Sequence, residues 1–217
     1  PGCAEPRAPP PRRLGRPRRR AAMQFELDIS RAFGVAQVED SPPRVFRIDD
    51  TILQHPRWGQ GLRHVLDKVG ERSRRAQGLG KAVTHGSGVV LGSNRVYILA
   101  AGRTALGLLK VGPKRLFVAK GTDGGLVDIT PQCVLDFYVV EGHQRGGLGS
   151  QLFRAMLAQE GATAAKLAYD APSSKLLGFL RKHFGLAKFT PQSNHFVVFD
   201  AYFAPAAAAP RRRTPGR

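Results

Sequence analysis

Sulfur is scarce in this chain, which has two cysteines, Cys3 and Cys133, and two methionines among 217 residues. The cysteines lie far apart in unlike surroundings. That excludes a disulfide framework and a cysteine-built zinc site, and it fits a reducing compartment. The six histidines are scattered, with no His-x-x-x-His spacing, so no metal is expected. Long apolar runs are also missing. The longest, Gly86 to Gly92 and Val96 to Ala101, fall far short of the ~20 residues a membrane helix needs, so no membrane-spanning role is expected. Acids are few, 16 against 34 Lys and Arg, for a formal charge of +18.

That charge is unevenly spread. Residues 1–22 hold seven Arg and one Glu, and residues 204–217 hold four Arg; nine of the sixteen prolines lie in these two ends. Such segments bury too little surface to offset ordering entropy, so both are expected to be disordered. Two readings of them stand side by side: solvated tails, or an electrostatic hold on an acidic polymer. The Arg-rich start runs into Met23 without an apolar stretch, so a signal peptide is not expected. The remaining residues, 23–203, are expected to form one domain, since 42% of the chain is apolar and a core can be built.

Met23 to Ile29 alternates, with Phe25, Leu27 and Ile29 on one side, and predicts a strand. Val45, Phe46 and Ile48 predict another. From Trp58 to Gln77 the spacing of Leu62, Val65, Leu66 and Val69 is helical, and the glycine-rich stretch 78–92 reads as a loop. Strands are predicted over 95–100, 105–111, 115–119 and 133–140; turns at Ala101-Gly102-Arg103 and Gly112-Pro113 make the first three an antiparallel meander. Helices follow over 147–160 and 173–184, with strands over 166–169 and 195–203. Asp170, ahead of Pro172, is placed as a helix start.

The stretch that carries chemistry is Leu135-Asp136-Phe137-Tyr138-Val139-Val140-Glu141-Gly142-His143-Gln144-Arg145-Gly146-Gly147-Leu148-Gly149. It is a strand, a basic glycine loop and a helix start. Free N–H groups at such a start face an anion, and a pyrophosphate is the natural guest. No GxxxxGK[ST] motif is present, and Gly86-x-Gly88 lacks the third Rossmann glycine.

Gln144-Arg145-Gly146-Gly147-Leu148-Gly149 matches the Q/R-x-x-G-x-G/A signature of GNAT N-acetyltransferases. Around it, Cys-Val-Leu-Asp-Phe-Tyr-Val (133–139), Asp170-Ala171-Pro172-Ser173-Ser174-Lys175-Leu176-Leu177, Lys182-His183-Phe184 and Asn194-His195-Phe196-Val197-Val198-Phe199 resemble the α-tubulin N-acetyltransferases. The likeness runs from Met23 to Phe203. It implies a GNAT fold, α+β or α/β in class, with a mixed, mostly antiparallel central sheet flanked by helices.

The resemblance implies acetyl-CoA as co-substrate, lined by Phe137, Tyr138 and Val139, with Gln144, Arg145, Gly146, Gly147, Leu148, Gly149 and Ser150 around its pyrophosphate. Ser173, Ser174, Lys175 and Lys182 would form the second wall. It implies catalytic roles for Asp170 and Cys133 and importance for Gln77. Read from residue type alone, Asp170 is equally a helix cap, Cys133 a small core residue and Gln77 a polar helix end. Where the family carries Arg after the aspartate, this chain has Ala171. The implied partner is α-tubulin in microtubules, for a monomer in the cytoplasm on the cytoskeleton, cilium or flagellum axoneme included. Neither membrane nor nucleic acid is an expected partner. The alternatives are a GNAT enzyme for another protein or amine, and a microtubule-binding fold without turnover.

Overall fold

The computed structural model describes residues 22–36, 41–86, 92–120 and 125–204; the two tails expected to be disordered lie almost wholly outside these. The first half of the chain forms β1 (Met23–Gln24), α1 (Ile29–Ala32), β2 (Arg44–Ile48), α2 (Asp50–Leu53), α3 (Gly59–Gln77), β3 (Arg95–Ala101) and β4 (Thr104–Pro113). The second half forms β5 (Leu116–Ala119), β6 (Leu126–Ile129), β7 (Gln132–Val139), α4 (Leu148–Glu160), β8 (Leu167–Asp170), α5 (Ser174–Phe184) and β9 (Phe196–Val198).

The main sheet has the order β2-β3-β4-β7-β8-β9, with β1 beside the start of β4. Every pairing is antiparallel except β7 with β8. The expected meander is therefore corrected. β3 and β4 are hairpin neighbours, but β5 leaves the sheet to pair with β6, and β7 takes the place beside β4. Leu116 and Val118 point inward on that separate hairpin and cover Cys133, Ala168 and Val198 of the sheet. A strand joins whichever edge lets its buried face meet the core.

The strand predicted over 23–29 is shorter than its alternation suggests. Asp28 accepts a hydrogen bond from Arg31 N at 3.0 Å and starts α1, so the cap overrides the period. The strand predicted over 195–203 likewise gives way after Val198 to a 3-10 turn over Asp200–Tyr202. α3 follows its pattern closely. Leu62, Val65, Leu66 and Val69 are all fully buried, and Gly78, left-handed at φ 68°, closes the helix. α1 to α3 and the β5–β6 hairpin cover one face of the sheet, while α4 and α5 cover the other.

Glu160, at the end of α4, ties the second face to the start of the strands. It accepts from Arg95, Tyr97 and Gln132. Burial pushes its pKa up, but Arg95 and Tyr97 outweigh burial and hold the carboxyl below its ordinary value. A group with a depressed folded pKa stabilises fully above its unfolded pKa and loses that contribution as pH falls through the folded value. Glu160→Gln is therefore expected to cost ~2 kcal/mol near neutrality, a buried-pair loss discounted for the partly open Arg95. The variant's stability should also fall less steeply below about pH 4.5. Urea unfolding at pH 7 and pH 4 checks both.

Candidate active site

β7 positions the site. It is paired to β4 from Gln132 to Val139, but to β8 only through Gln132, Cys133 and Val134, opposite Leu167, Ala168 and Tyr169. Beyond these residues the parallel strands part. β7 runs on to Val139, whereas β8 ends at Asp170 and the chain turns through Ala171 and Pro172 into α5. The result is a wedge in the sheet. Along Leu135 to Val139 one strand edge has no strand partner among the described residues, which is a place for an extended ligand to pair. Gln77, Leu135, Asp136, Phe137, Asp170, Ala171, Pro172 and Ser173 line the cleft at its mouth.

A bulge sets which side chains meet there. Lys110 pairs with Asp136 but Val111 pairs with Val134, leaving Leu135 as the extra residue. The inserted residue resets the alternation. Cys133 and Asp136 consequently share the face covered by α3 and the β5–β6 hairpin, while Val134 and Phe137 face α4 and α5. Phe137 there meets Phe153 at 5.6 Å and Phe179 at 5.4 Å between ring centroids, closing the wedge from behind. Tyr138 points to the α3 side, where its hydroxyl donates to Glu141 at 2.8 Å.

Asp170 is not the cap of α5. Ser173 takes that role, accepting from Leu176 N at 3.3 Å. Released from capping, the Asp170 carboxylate stands in the cleft, open to solvent on one side and crowded on the other. Burial pushes its pKa up, and the positive charges of Lys114 and His195 offset part of the rise. The next residue, Ala171, has φ 36°, and its N–H donates to His195 O at 3.1 Å. His195 is itself at φ 63°. Two non-glycine residues in the left-handed region at one corner mark a backbone held under strain.

Cys133 lies behind Asp170, fully buried among Leu116, Val118, Ala168 and Val198. Its thiol donates to Pro131 O at 3.5 Å. Burial, with the Asp170 charge adding to it, pushes the thiol up to about 12, so it is neutral at physiological pH.

Gln77 reaches the cleft from the end of α3. Its Nε2 donates to Ser73 Oγ at 2.7 Å and to Asp136 Oδ1 at 2.9 Å.

At the far end of β7 the glycine loop precedes α4. Arg145 at φ 65° and Gly147 at φ 85° are both left-handed, and no side chain caps α4. Gln144 turns back to donate to Val139 O at 2.8 Å, so its amide secures the loop to the strand. Ser150 receives Arg154 at 3.2 Å. Ser174, Lys175 and Lys182 are exposed on α5. Thus Gln77, Phe137, Asp170 and Ser173 converge on the cleft mouth, the loop and α4 start stand at its far end, and Cys133 is buried beneath.

Sequence reasoning missed Asp136, Ser73, Thr84, Lys114 and His195 as parts of this site. A signal existed for Asp136 alone: an acid inside an otherwise apolar strand, where acids are almost never buried without partners. A wider groove lies between residues 22–27 and the first half of α3, but none of the catalytic or cofactor-binding residues expected from the sequence lines it.

Known proteins resemble this chain over most of its length. A family model described as GNAT acetyltransferase, Mec-17, matches residues 25–216. An α-tubulin N-acetyltransferase of Tetrahymena thermophila is 46% identical over 171 residues, 79% of this chain and 42% of that protein. One from Leishmania major is 46% identical over 144 residues, 65% of this chain and 58% of that protein. One from Anopheles gambiae is 40% identical over 178 residues, 76% of this chain and 37% of that protein. The chain thus spans roughly half the length of the curated relatives it matches.

Proposed function

The chain belongs to the Mec-17 family of GNAT acetyltransferases, and on that premise we propose that it acetylates a lysine side chain of α-tubulin within microtubules, using acetyl-CoA. Its mixed, mostly antiparallel sheet flanked by helices is the GNAT fold. The observation that carries the reading is the wedge between β7 and β8, with Gln77 and Asp170 at its mouth and the uncapped start of α4 at its far end.

The residues present fit acetyl-CoA. Backbone N–H groups of Gln144 to Ser150, at a helix start with no capping side chain, suit a pyrophosphate. Lys175 and Lys182 of α5 add positive charge, and the edge of Leu135 to Tyr138, which has no strand partner among the described residues, suits the amide-bearing arm. Acetyl-CoA supplies the acyl group already activated as a thioester; the amine attacks it directly, without a covalent enzyme intermediate, forming the amide as the C–S bond breaks and CoA leaves as a thiolate that takes up a proton. What the protein must supply is a base, because a free lysine amine has a pKa of ~10.4 and is protonated near neutrality. Asp170 takes that proton. Its raised pKa makes it a stronger base than an ordinary carboxylate, and it opens onto the face that Gln77 also borders. Cys133, neutral and enclosed, backs the Asp170 corner by packing.

On this reading the protein acts as a monomer in the cytoplasm, on cytoskeletal or axonemal microtubules. Its Arg-rich ends, 1–22 and 204–217, strengthen contact with an acidic polymer by charge. The test is incubation of the purified chain with labelled acetyl-CoA and assembled microtubules. Label on α-tubulin is the expected result. Label only on other amines, or none despite acetyl-CoA binding, would overturn the substrate.

A further inference from the structure

Asp136 is a carboxylate inside the molecule, 4% exposed, with Ser73 and Thr84 beside it at 1% each. Ser73 Oγ donates to Asp136 Oδ1 at 2.8 Å, Thr84 Oγ1 donates to Oδ2 at 2.8 Å, and Gln77 Nε2 donates to Oδ1 at 2.9 Å. Lys110, opposite Asp136 in the β4–β7 register, supplies the nearby positive charge, but its ammonium donates to Val83 O at 2.9 Å. A buried polar network of this kind is a costly way to hold a sheet and a helix together, because apolar packing does that as well. The network does one thing that apolar packing cannot. Both Asp136 oxygens act as acceptors here, Oδ1 from Ser73 and Gln77 and Oδ2 from Thr84, so the carboxylate dictates which way the Gln77 amide lies. Both hydrogens of Nε2 are taken, one by Ser73 and one by Asp136. The Gln77 carbonyl oxygen is left over, at the end of the side chain that borders the cleft.

We propose that Asp136 is a positioning residue for acetyl transfer: it locks Gln77 as an acceptor, so that Gln77 Oε1 receives an N–H of the incoming lysine amine while Asp170 takes the proton. An amide turned the other way would present N–H groups to an ammonium and repel it. The inference rests on the reading of the cleft as the amine site. It assigns a role to Asp136, to which the sequence resemblance attached none, and makes Ser73 its second anchor.

The experiment is steady-state acetylation of microtubules by the full chain, with melting curves for every variant. Gln77→Ala tests the underlying reading; undiminished turnover there removes Gln77 from the site, whatever Asp136 does. Asp136→Asn lets an amide N–H face Gln77 and the Gln77 amide turn over, so kcat should fall about tenfold with KM for acetyl-CoA unchanged, the pattern of an interaction lost in the transition state. Glu160→Gln, which destabilises the fold away from the cleft, should leave kcat at the wild-type value. Asp136→Asn with Gln77→Glu exchanges amide and carboxylate and restores an acceptor toward the amine, so the pair should regain at least about threefold over either single change. Should Asp136→Asn fail to fold, Ser73→Ala frees one Gln77 hydrogen and should lower kcat about threefold. Wild-type kcat in Asp136→Asn or in a folded Ser73→Ala would overturn the proposal, as would the absence of recovery in the pair.

Discussion

Asp170→Asn is expected to lower kcat for acetyl transfer by about 10²-fold or more, the lower end of what a positioned general base contributes, with little change in KM for acetyl-CoA. Asparagine keeps the size and hydrogen-bonding reach of the side chain but cannot accept the amine proton. The substitution leaves the corner intact, because Ser173 caps α5 and Ala171 N–H is held by His195 O. The pH dependence carries the sharper signature. Asp170 acts as a base only when ionised, so the wild-type rate must fall as pH drops through its pKa. That value lies above the ~3.9 of an ordinary aspartate, because burial raises it more than Lys114 and His195 lower it. The Asn variant should lose this acid limb and follow the ionisation of the lysine alone. Profiles of kcat/KM against pH for both proteins decide the matter. A variant that retains both turnover and acid limb would move the base elsewhere.

Phe153→Ala is expected to be the most destabilising single change near the site. The ring is fully buried and sits at the joint of β7, α4 and α5, with centroids of Phe137, Phe179 and Phe184 at 5.6, 5.5 and 5.2 Å. Truncation removes its transfer energy and leaves a cavity that three rigid neighbours fill poorly, a loss of ~3–5 kcal/mol. For a domain of this size the melting temperature should drop roughly 10 °C. Function should suffer too. Phe137 closes the wedge and lies 3.4 Å from where a side chain on Gly149 would begin. Loss of its edge-to-face partner loosens the wall between the cleft and the start of α4, so acetyl-CoA affinity should weaken in the folded variant. Phe153→Leu, which keeps most of the volume, should recover most of the stability. Calorimetric melting and titration with acetyl-CoA measure the two effects separately. A Phe153→Ala protein melting within a degree or two of wild type would show that the joint is held by other contacts.

Much of this molecule is set by local chemistry and was legible residue by residue. The apolar spacing of Leu62, Val65, Leu66 and Val69 specifies α3, and the glycine-rich stretch after β7 specifies a loop that opens a helix. The run from Gln144 to Gly149 with its flanking segments carried the resemblance to the family. Caps, turns and periods act over a few residues and are written in the chain directly.

What tertiary structure decided is competition between alternatives that local sequence leaves equal. Asp28 could continue a strand or cap a helix, and it caps. Asp170 or Ser173 could cap α5; Ser173 does, which frees Asp170 for the cleft. The β5 segment could extend the meander or leave it, and it leaves, because β7 fills the place beside β4 and the hairpin is needed over Cys133. The bulge at Leu135 then puts Asp136 under the end of α3, so that a residue 59 positions away, Gln77, is fixed at the cleft. Such choices depend on which faces are buried against which, and only the assembled sheet and helices supply that information.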